Sequence, residues 1–235
     1  MCFGSKRRSD MFFRRLGLWF SVFWRLVCVN IQLLYGVWKL TRVPRPRVTI
    51  FGGSRMPQED PYSQQAHKLG HKLVQHDISI VTGGGPGIME AASCGAIAVG
   101  KKGMSLGIGV KELGEGKNPC VQEYLELDYF FARKWLLTRY SIAFVVFPGG
   151  FGTLDELGEI LTLIHTNRLP QVPIVLIGSE YWYLFMQWLT HEALKHGLVT
   201  SDDLKLFVVT DDIDYAFTII YDSCKKMSAE LSKKD

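Results

Sequence analysis

The sequence predicts an α/β domain: a doubly wound, Rossmann-like parallel sheet with helices on both faces, preceded by an amphipathic N-terminal helix. Three observations carry this expectation. From residue 48 onward, short apolar runs alternate with longer stretches of helical periodicity. The short runs, such as VTIF at 48–51, FVVF at 144–147 and IVLI at 174–177, show no polar alternation. Strands of that kind are covered on both faces, the condition of a parallel sheet between helical layers. Finally, three runs end in glycines, at Gly52-Gly53, at Gly83-Gly84-Gly85, and at Gly149-Gly150 with Gly152.

The N-terminal residues stand apart. Residues 1–47 carry ten Lys/Arg against Asp10 alone, whereas residues 48–235 carry seventeen against twenty-two acids. The charge is therefore +9 on the extension and −5 on the domain, so the overall +4 does not mark the domain as a nucleic-acid binder. Within residues 16–40, Ser21, Arg25, Cys28, Gln32, Gly36 and Lys39 recur at spacings of three and four along one helical stripe. Leu16, Trp19, Phe20, Phe23, Val27, Asn30, Ile31, Leu34, Val37 and Trp38 fall mostly opposite, giving a wide apolar face. That face is expected to bury against the chain's own domain or across a subunit interface of a homo-oligomer. Peripheral contact with a membrane is the first alternative, supported by Lys6, Arg7, Arg8, Arg14 and Arg15. A bilayer span is the second, opposed by Arg25 near its middle. A secretory signal lacks its small-residue cleavage site. The segment TRVPRPR, 41–47, then breaks the helix with two prolines.

The domain reads from 48 to 235 as one unit without internal repeats. Strand 48–53 leads to a helix over 61–76, where Ala66, Leu69, Leu73 and Val74 share a face. Residues 78–100 read as strand, glycine loop and helix, with Pro86 suited to a first turn. A strand at 104–110, a turn-rich loop at 111–119, a short strand at 124–128 and a helix at 129–141 follow. The run from 144 then passes through Pro148 and its glycines into a helix. Strand 173–178, a helix over Tyr181–His196, strand 206–211 and a last helix to about Lys226 complete the pattern.

Five scattered cysteines, odd in number and without C-x-x-C spacing, argue against a disulfide framework or a zinc site and suit a reducing cytoplasm. The histidines have no H-x-x-x-H spacing, so no metal site is expected. GGGPGIM at 83–89 lacks the Lys-Ser/Thr of a phosphate-binding P-loop and the G-x-G-x-x-G order of a dinucleotide site. A monophosphate-sized anion at the helix beginning near Thr153 is the favoured ligand group, because helix N-termini present backbone N–H groups. The plainer reading of T-L-D-E at 153–156 is a capping box, with Thr153 as cap and Glu156 reaching back. Arg133 and Lys134 are adjacent cations on a largely apolar helix, and need an acidic partner, an anionic ligand or a route to solvent.

GGGPGIMEAA at 83–92, YFFARK at 129–134 and PGGFGTLDEL at 148–157, in this order, resemble the LOG (lonely guy) family of cytokinin-activating phosphoribohydrolases. That family has long been labelled lysine decarboxylase-like. The resemblance covers residues 48 to about 215 and implies a hydrolase of nucleoside 5′-monophosphates, AMP-type or cytokinin, releasing free base and ribose 5-phosphate. It implies no cofactor and an assembly of two or more subunits. The family's essential arginine and glutamate fall on Arg133 and Glu156. Its phosphate-cradling residues fall on Gly149, Gly150, Gly152 and Thr153, with Gly83, Gly84 and Gly85 as the facing loop. Lys134 joins the substrate-binding set as the lysine near the inferred cleft. Gly53 stands where relatives often carry serine, which leaves Ser54 to supply the hydroxyl.

The residue types suit the chemistry. Cleaving an N-glycosidic bond builds positive charge on the ribose, which a carboxylate can stabilise. An arginine can hold phosphate or carboxylate bidentately. A pyridoxal-dependent decarboxylase would need a Schiff-base lysine and an acid for the ring nitrogen, and Lys134 alone does not meet that demand. A non-catalytic nucleotide-binding or carrier protein of the same fold is the alternative.

Overall fold

The computed structural model describes residues 3–231 except 112, 113 and 115, with side chains described over 14–226. Seven strands form one sheet: β1 (Arg47–Phe51), β2 (Ser79–Thr82), β3 (Ser105–Val110), β4 (Glu123–Leu127), β5 (Ala143–Val146), β6 (Ile174–Ile177) and β7 (Phe207–Thr210). Their order is β4-β3-β2-β1-β5-β6-β7, and every neighbouring pair is parallel. The chain thus winds outward from β1 in one direction as far as β4, then returns to the other side of β1 with β5. The switch in strand order lies between β1 and β5. The inner strands β1, β2, β5 and β6 are buried at every position, as their unbroken apolar runs require.

The helices are α1 (Phe3–Arg42), α2 (Pro61–Gln75), α3 (Ile88–Ala98), α4 (Phe130–Arg139), α5 (Phe151–His165), α6 (Ser179–Trp188) and α7 (Ile213–Leu231). The side chains of α2, α3 and α7 build the core on one face, while α4, α5, α6 and the end of α1 build it on the other. The expected helix over 181–196 begins earlier, at Ser179, and continues beyond Trp188 as a π-helical turn over Leu189–Ala193. Asp60 starts α2 by accepting the Tyr62 N–H at 2.8 Å, with Pro61 in the first helical position.

Two glycines set the spacing of α2 and α3. A Cβ on Gly70 would lie 2.2 Å from the Ala92 carbonyl oxygen, and one on Gly95 would lie 2.0 Å from that of His67. Each helix therefore rests a bare backbone on the other, which holds α3 against the sheet just after the glycine loop that it follows.

The cysteine expectation is corrected. Cys94 of α3 and Cys120 form a disulfide with a Cα–Cα separation of 4.8 Å. Their 26-residue sequence separation matches no motif, and only the fold brings them within bonding range.

The N-terminal helix also departs from expectation: the side it turns to the domain combines Gln32, Gly36 and Lys39 of the polar stripe with Val29, Leu33, Val37 and Leu40, and most of the expected apolar face stays outside. The helix begins at Phe3 and runs 40 residues. Val29, Gly36 and Leu40 are buried, and Gln32 and Lys39 are half-buried. Gln32 accepts the Asp128 N–H at 3.0 Å, and its amide donates to the Asp128 carboxylate. Lys39 lies 3.3 Å from Glu123 and donates to the Tyr124 carbonyl. Gly36 admits Leu136 of α4 and Leu125 of β4. The reason is the surface they meet: β4 is an edge strand, and it presents carboxylates and a backbone carbonyl that an apolar helix face could not satisfy. Leu16, Trp19, Phe20, Phe23, Ile31, Leu34 and Trp38 consequently point away from the domain and are exposed.

The α2–α3 contact yields a direct test. Gly95→Ala forces a methyl into the His67 carbonyl, and should destabilise the protein by about 1–3 kcal/mol despite the better helix propensity of alanine. Gly158→Ala in α5, where a Cβ meets nothing within 4 Å, should be neutral or stabilising in the same thermal melts.

Candidate functional site

Three turns converge at the carboxyl edge of the sheet around the switch between β1 and β5, where open α/β sheets bind their ligands. The turn after β5 begins at Phe147, fully buried, and Pro148. Gly150 is the N-cap of α5, so the helix starts two residues before Thr153 and no side chain caps its first turn. This overturns the capping-box reading. Thr153 is the third helical residue, buried to 4% exposure, and its hydroxyl lies over Gly149. A Cβ on Gly149 would come within 2.1 Å of Thr153 Oγ1 and 2.8 Å of the Gly53 nitrogen. Gly149 is thus a glycine because two neighbours occupy the space of its side chain.

The turn after β1 is fastened to this one. The Gly53 N–H donates to the Pro148 carbonyl at 2.9 Å, and the Gly53 carbonyl accepts from the Ile88 N–H at 3.1 Å. Gly87, at φ +69°, brings its Cα against the Gly53 carbonyl, where a Cβ would lie 2.3 Å away. Ser54 follows in a turn packed on Gly87, at the start of α3.

The turn after β2 contributes Gly83, Gly84 and Gly85. Arg133, on the first turn of α4, is buried to 6% exposure and lays its guanidinium against Gly83. A Cβ there would be 2.1 Å from Arg133 Nη2. The Phe130 ring lies 5.7 Å from the guanidinium carbon, and the buried Arg133 Nε has no hydrogen-bond partner among the described residues. A buried N–H donor on a cation without an acceptor is unfavourable, and an anionic ligand at this position would relieve it.

Glu156 is half-buried on the second turn of α5, one turn beyond Thr153 and on the same side of the helix. Lys134 is held away from a role as a free cation. Its ammonium is 2.9 Å from Asp155 and 3.1 Å from Glu159. Burial alone would pull the Lys134 pKa down, but the hydrogen bonds and charges of Asp155 and Glu159 outweigh it and raise it above the ordinary 10.5. This ion pair ties α4 to α5 through the residue beside Arg133 and the residue beside Glu156.

Three residues of the site escape the sequence reading. Tyr181 of α6 donates its hydroxyl to the Gly149 carbonyl. Asn118 is buried, donates its backbone N–H to Gly84 and its side-chain amide to Gly85, each at 2.9 Å. The ring of Tyr124 packs against Gly84 and Gly107. Asn118 sits in a KNP turn whose polar residues suggest only a loop, and the two tyrosines carry no spacing signal.

Glycine turns converging at the switch point, an uncapped helix N-terminus and a buried arginine mark a Rossmann-type domain. The chain belongs to the LOG family, whose profile, described as "possible lysine decarboxylase", matches residues 89–220. It is 30% identical to the cytokinin riboside 5′-monophosphate phosphoribohydrolase LOG2 of Arabidopsis thaliana, over 69% of this chain and 76% of that protein. It is 29% identical to the pyrimidine/purine nucleotide 5′-monophosphate nucleosidase of Escherichia coli, over 67% of this chain but 38% of that protein. The fold is shared with the molybdenum cofactor carrier protein of Chlamydomonas reinhardtii, at 22% identity and a TM-score of 0.54 over 76% of this chain and 98% of that one.

Because Lys134 is raised in the folded state, its contribution is complete below its ordinary pKa of 10.5 and fades as pH climbs through the raised value. Lys134→Met should lower the melting temperature near neutral pH by roughly 2–4 °C, the effect of about 1 kcal/mol in a chain of this length. The difference between variant and parent should close above that pH range, as followed by melts across an alkaline series.

Proposed function

We propose that this protein hydrolyses the N-glycosidic bond of purine nucleoside 5′-monophosphates, AMP-type or cytokinin, to the free base and ribose 5-phosphate. The observation that carries this reading is the buried Arg133, set against Gly83 with its Nε unpartnered among the described residues, at the sheet edge where α5 starts uncapped. The family relationship supports it, since relatives are named for this reaction.

In this reading the 5′-phosphate binds the N–H groups of the Gly150–Thr153 turn, with the Thr153 hydroxyl as a further donor. The helix dipole adds a favourable field for the anion. Remote phosphate binding then positions the ribose, so that binding energy is used at the reacting carbon. As the C1′–N bond breaks, its electron pair leaves with the base and positive charge grows on C1′ and the ring oxygen. The Glu156 carboxylate stabilises that charge or orients the water whose oxygen bonds to C1′. One water proton ends on the departing base. Arg133 holds phosphate or the Glu156 carboxylate in place. The Lys134 ion pair keeps α4 and α5 in register and takes no part in proton transfer.

The same reading carries a homo-oligomer. Phe130, Phe131 and Trp135 of α4 and Phe151 of α5 are exposed beside the cleft, Phe151 to 93%. Covering such a patch with a second subunit would also shield the reaction from water.

Incubation with AMP, isopentenyl-AMP and other monophosphates should release free base, with adenosine a far poorer substrate than AMP. Equal turnover of adenosine and AMP would remove the phosphate from the mechanism. Glu156→Gln and Arg133→Ala should each reduce turnover by at least about 10²-fold, with melting temperatures close to the parent for Glu156→Gln. Retention of AMP by the parent protein without any release of adenine would favour the carrier reading.

A further inference from the structure

We propose that α1 is an in-plane membrane anchor, which seats the domain on an anionic lipid surface by its outward face. Along residues 16–26 the large apolar side chains Leu18, Trp19, Phe20, Val22, Phe23 and Trp24 are exposed around every side of the helix axis except the Ser21/Arg25 stripe. Farther along, Ile31, Leu34 and Trp38 continue the outward side, while Gln32, Gly36 and Lys39 hold the inner side to the domain. Among the described residues the helix is therefore exposed throughout 14–26, and it carries large apolar side chains on its outward side over its docked part.

Length separates lying on a bilayer from crossing it. By composition alone, residues 14–42 are long and apolar enough to span. The docking contradicts that geometry, because from Val29 onward the helix is fixed to Asp128 and Glu123 of a polar domain edge. The undocked apolar run, 16–26, reaches about 16 Å at 1.5 Å per residue, against about 30 Å of hydrocarbon. It is too short to cross, and long enough to embed in the headgroup and upper acyl region. Arg25 lies on the same stripe as Gln32 and Gly36, so in this orientation it faces the domain side and the headgroups instead of the acyl chains.

Charge selects the lipid and disfavours a second copy. The first 47 residues carry +9, and Arg14, Arg15 and Arg25 are exposed along the overhang. Anionic headgroups neutralise that charge, whereas pairing two such helices would bring like charges together. A helix pair also buries one stripe per helix, and would leave much of the apolar surface around residues 16–26 in water. Trp19, Trp24, Tyr35 and Trp38 supply the amphipathic rings that favour the interfacial zone.

The test uses the full chain with sucrose-loaded vesicles of phosphatidylcholine, with and without phosphatidylglycerol. The protein should sediment with the anionic vesicles, and bind at least about tenfold more weakly to pure phosphatidylcholine or in high salt. Trp19→Glu with Phe23→Glu should abolish sedimentation. Both side chains are exposed in the folded chain, so thermal melts of this variant should match the parent. A blue shift of tryptophan emission on the anionic vesicles supplies a second readout that needs no variant. Failure of the full chain to sediment with anionic vesicles, or equal binding to both lipid types, would overturn the proposal. So would a lipid-free assembly whose mass falls to that of a smaller species in the double variant, since the face would then be an interface between copies.

Discussion

The junction between the β1 and β5 turns is the constraint on which the site depends. At that point the sheet's winding direction reverses, and the helices that follow β1 and β5 leave on opposite faces. The Gly53 N–H bonds to the Pro148 carbonyl, and Gly149 Cα is in contact range of the space a Gly53 side chain would need. The approach of the two backbones requires Gly149 to be bare, whereas a Cβ on Gly53 would meet nothing closer than 3.3 Å. Their approach sets the start of α5 beside the β1 turn and leaves the Thr153 hydroxyl over Gly149. A single methyl at Gly149 would collide with both partners at once. The glycines that permit the turn also leave the first N–H groups of α5 without a side-chain cap.

Charge placement around this junction separates holding from acting. Arg133 and Lys134 are sequence neighbours with unlike fates. Lys134 meets two carboxylates of α5 and fixes that helix to α4. Arg133 is buried beside a phenylalanine ring with Nε unpaired among the described residues, an arrangement that folding alone does not favour. An acceptor that completes a buried cation gains an interaction that the described residues do not supply, and this asymmetry is the physical basis of the role proposed for Arg133. The loop held by Asn118 and by the Cys94–Cys120 bond stabilises the Gly84-Gly85 backbone from the other side.

The N-terminal helix shows how amphipathicity can mislead about direction. Its polar stripe is complementary to an edge strand, whose carboxylates and carbonyl need donors. An apolar face against that edge would have stranded them. The domain therefore takes the side that carries Gln32, Gly36 and Lys39, together with Leu33, Val37 and Leu40, and most of the large apolar side chains stay exposed. Gly36 makes the docking close, because it admits Leu136 and Leu125 to the helix backbone.

The sequence by itself determined the class of the fold, its strand runs, the three glycine turns and the motifs that place the chain in its family. These are local signals: apolar continuity over four or five residues, and glycines at strand ends. It also singled out Arg133, Glu156 and Thr153, although it offered a capping box that the structure replaces with a helix beginning at Phe151. Tertiary structure alone decided what depends on residues distant in the chain. The Lys134 pairing to Asp155 and Glu159, the Cys94–Cys120 bond, and the contacts of Tyr181 and Asn118 join residues from 21 to 34 positions apart. The outward turn of α1 belongs here too, since periodicity fixes which residues share a face but not which face meets the domain. That choice follows from the acceptors of β4 and Asp128 that Lys39 and Gln32 meet, which no pattern within residues 16–40 can report.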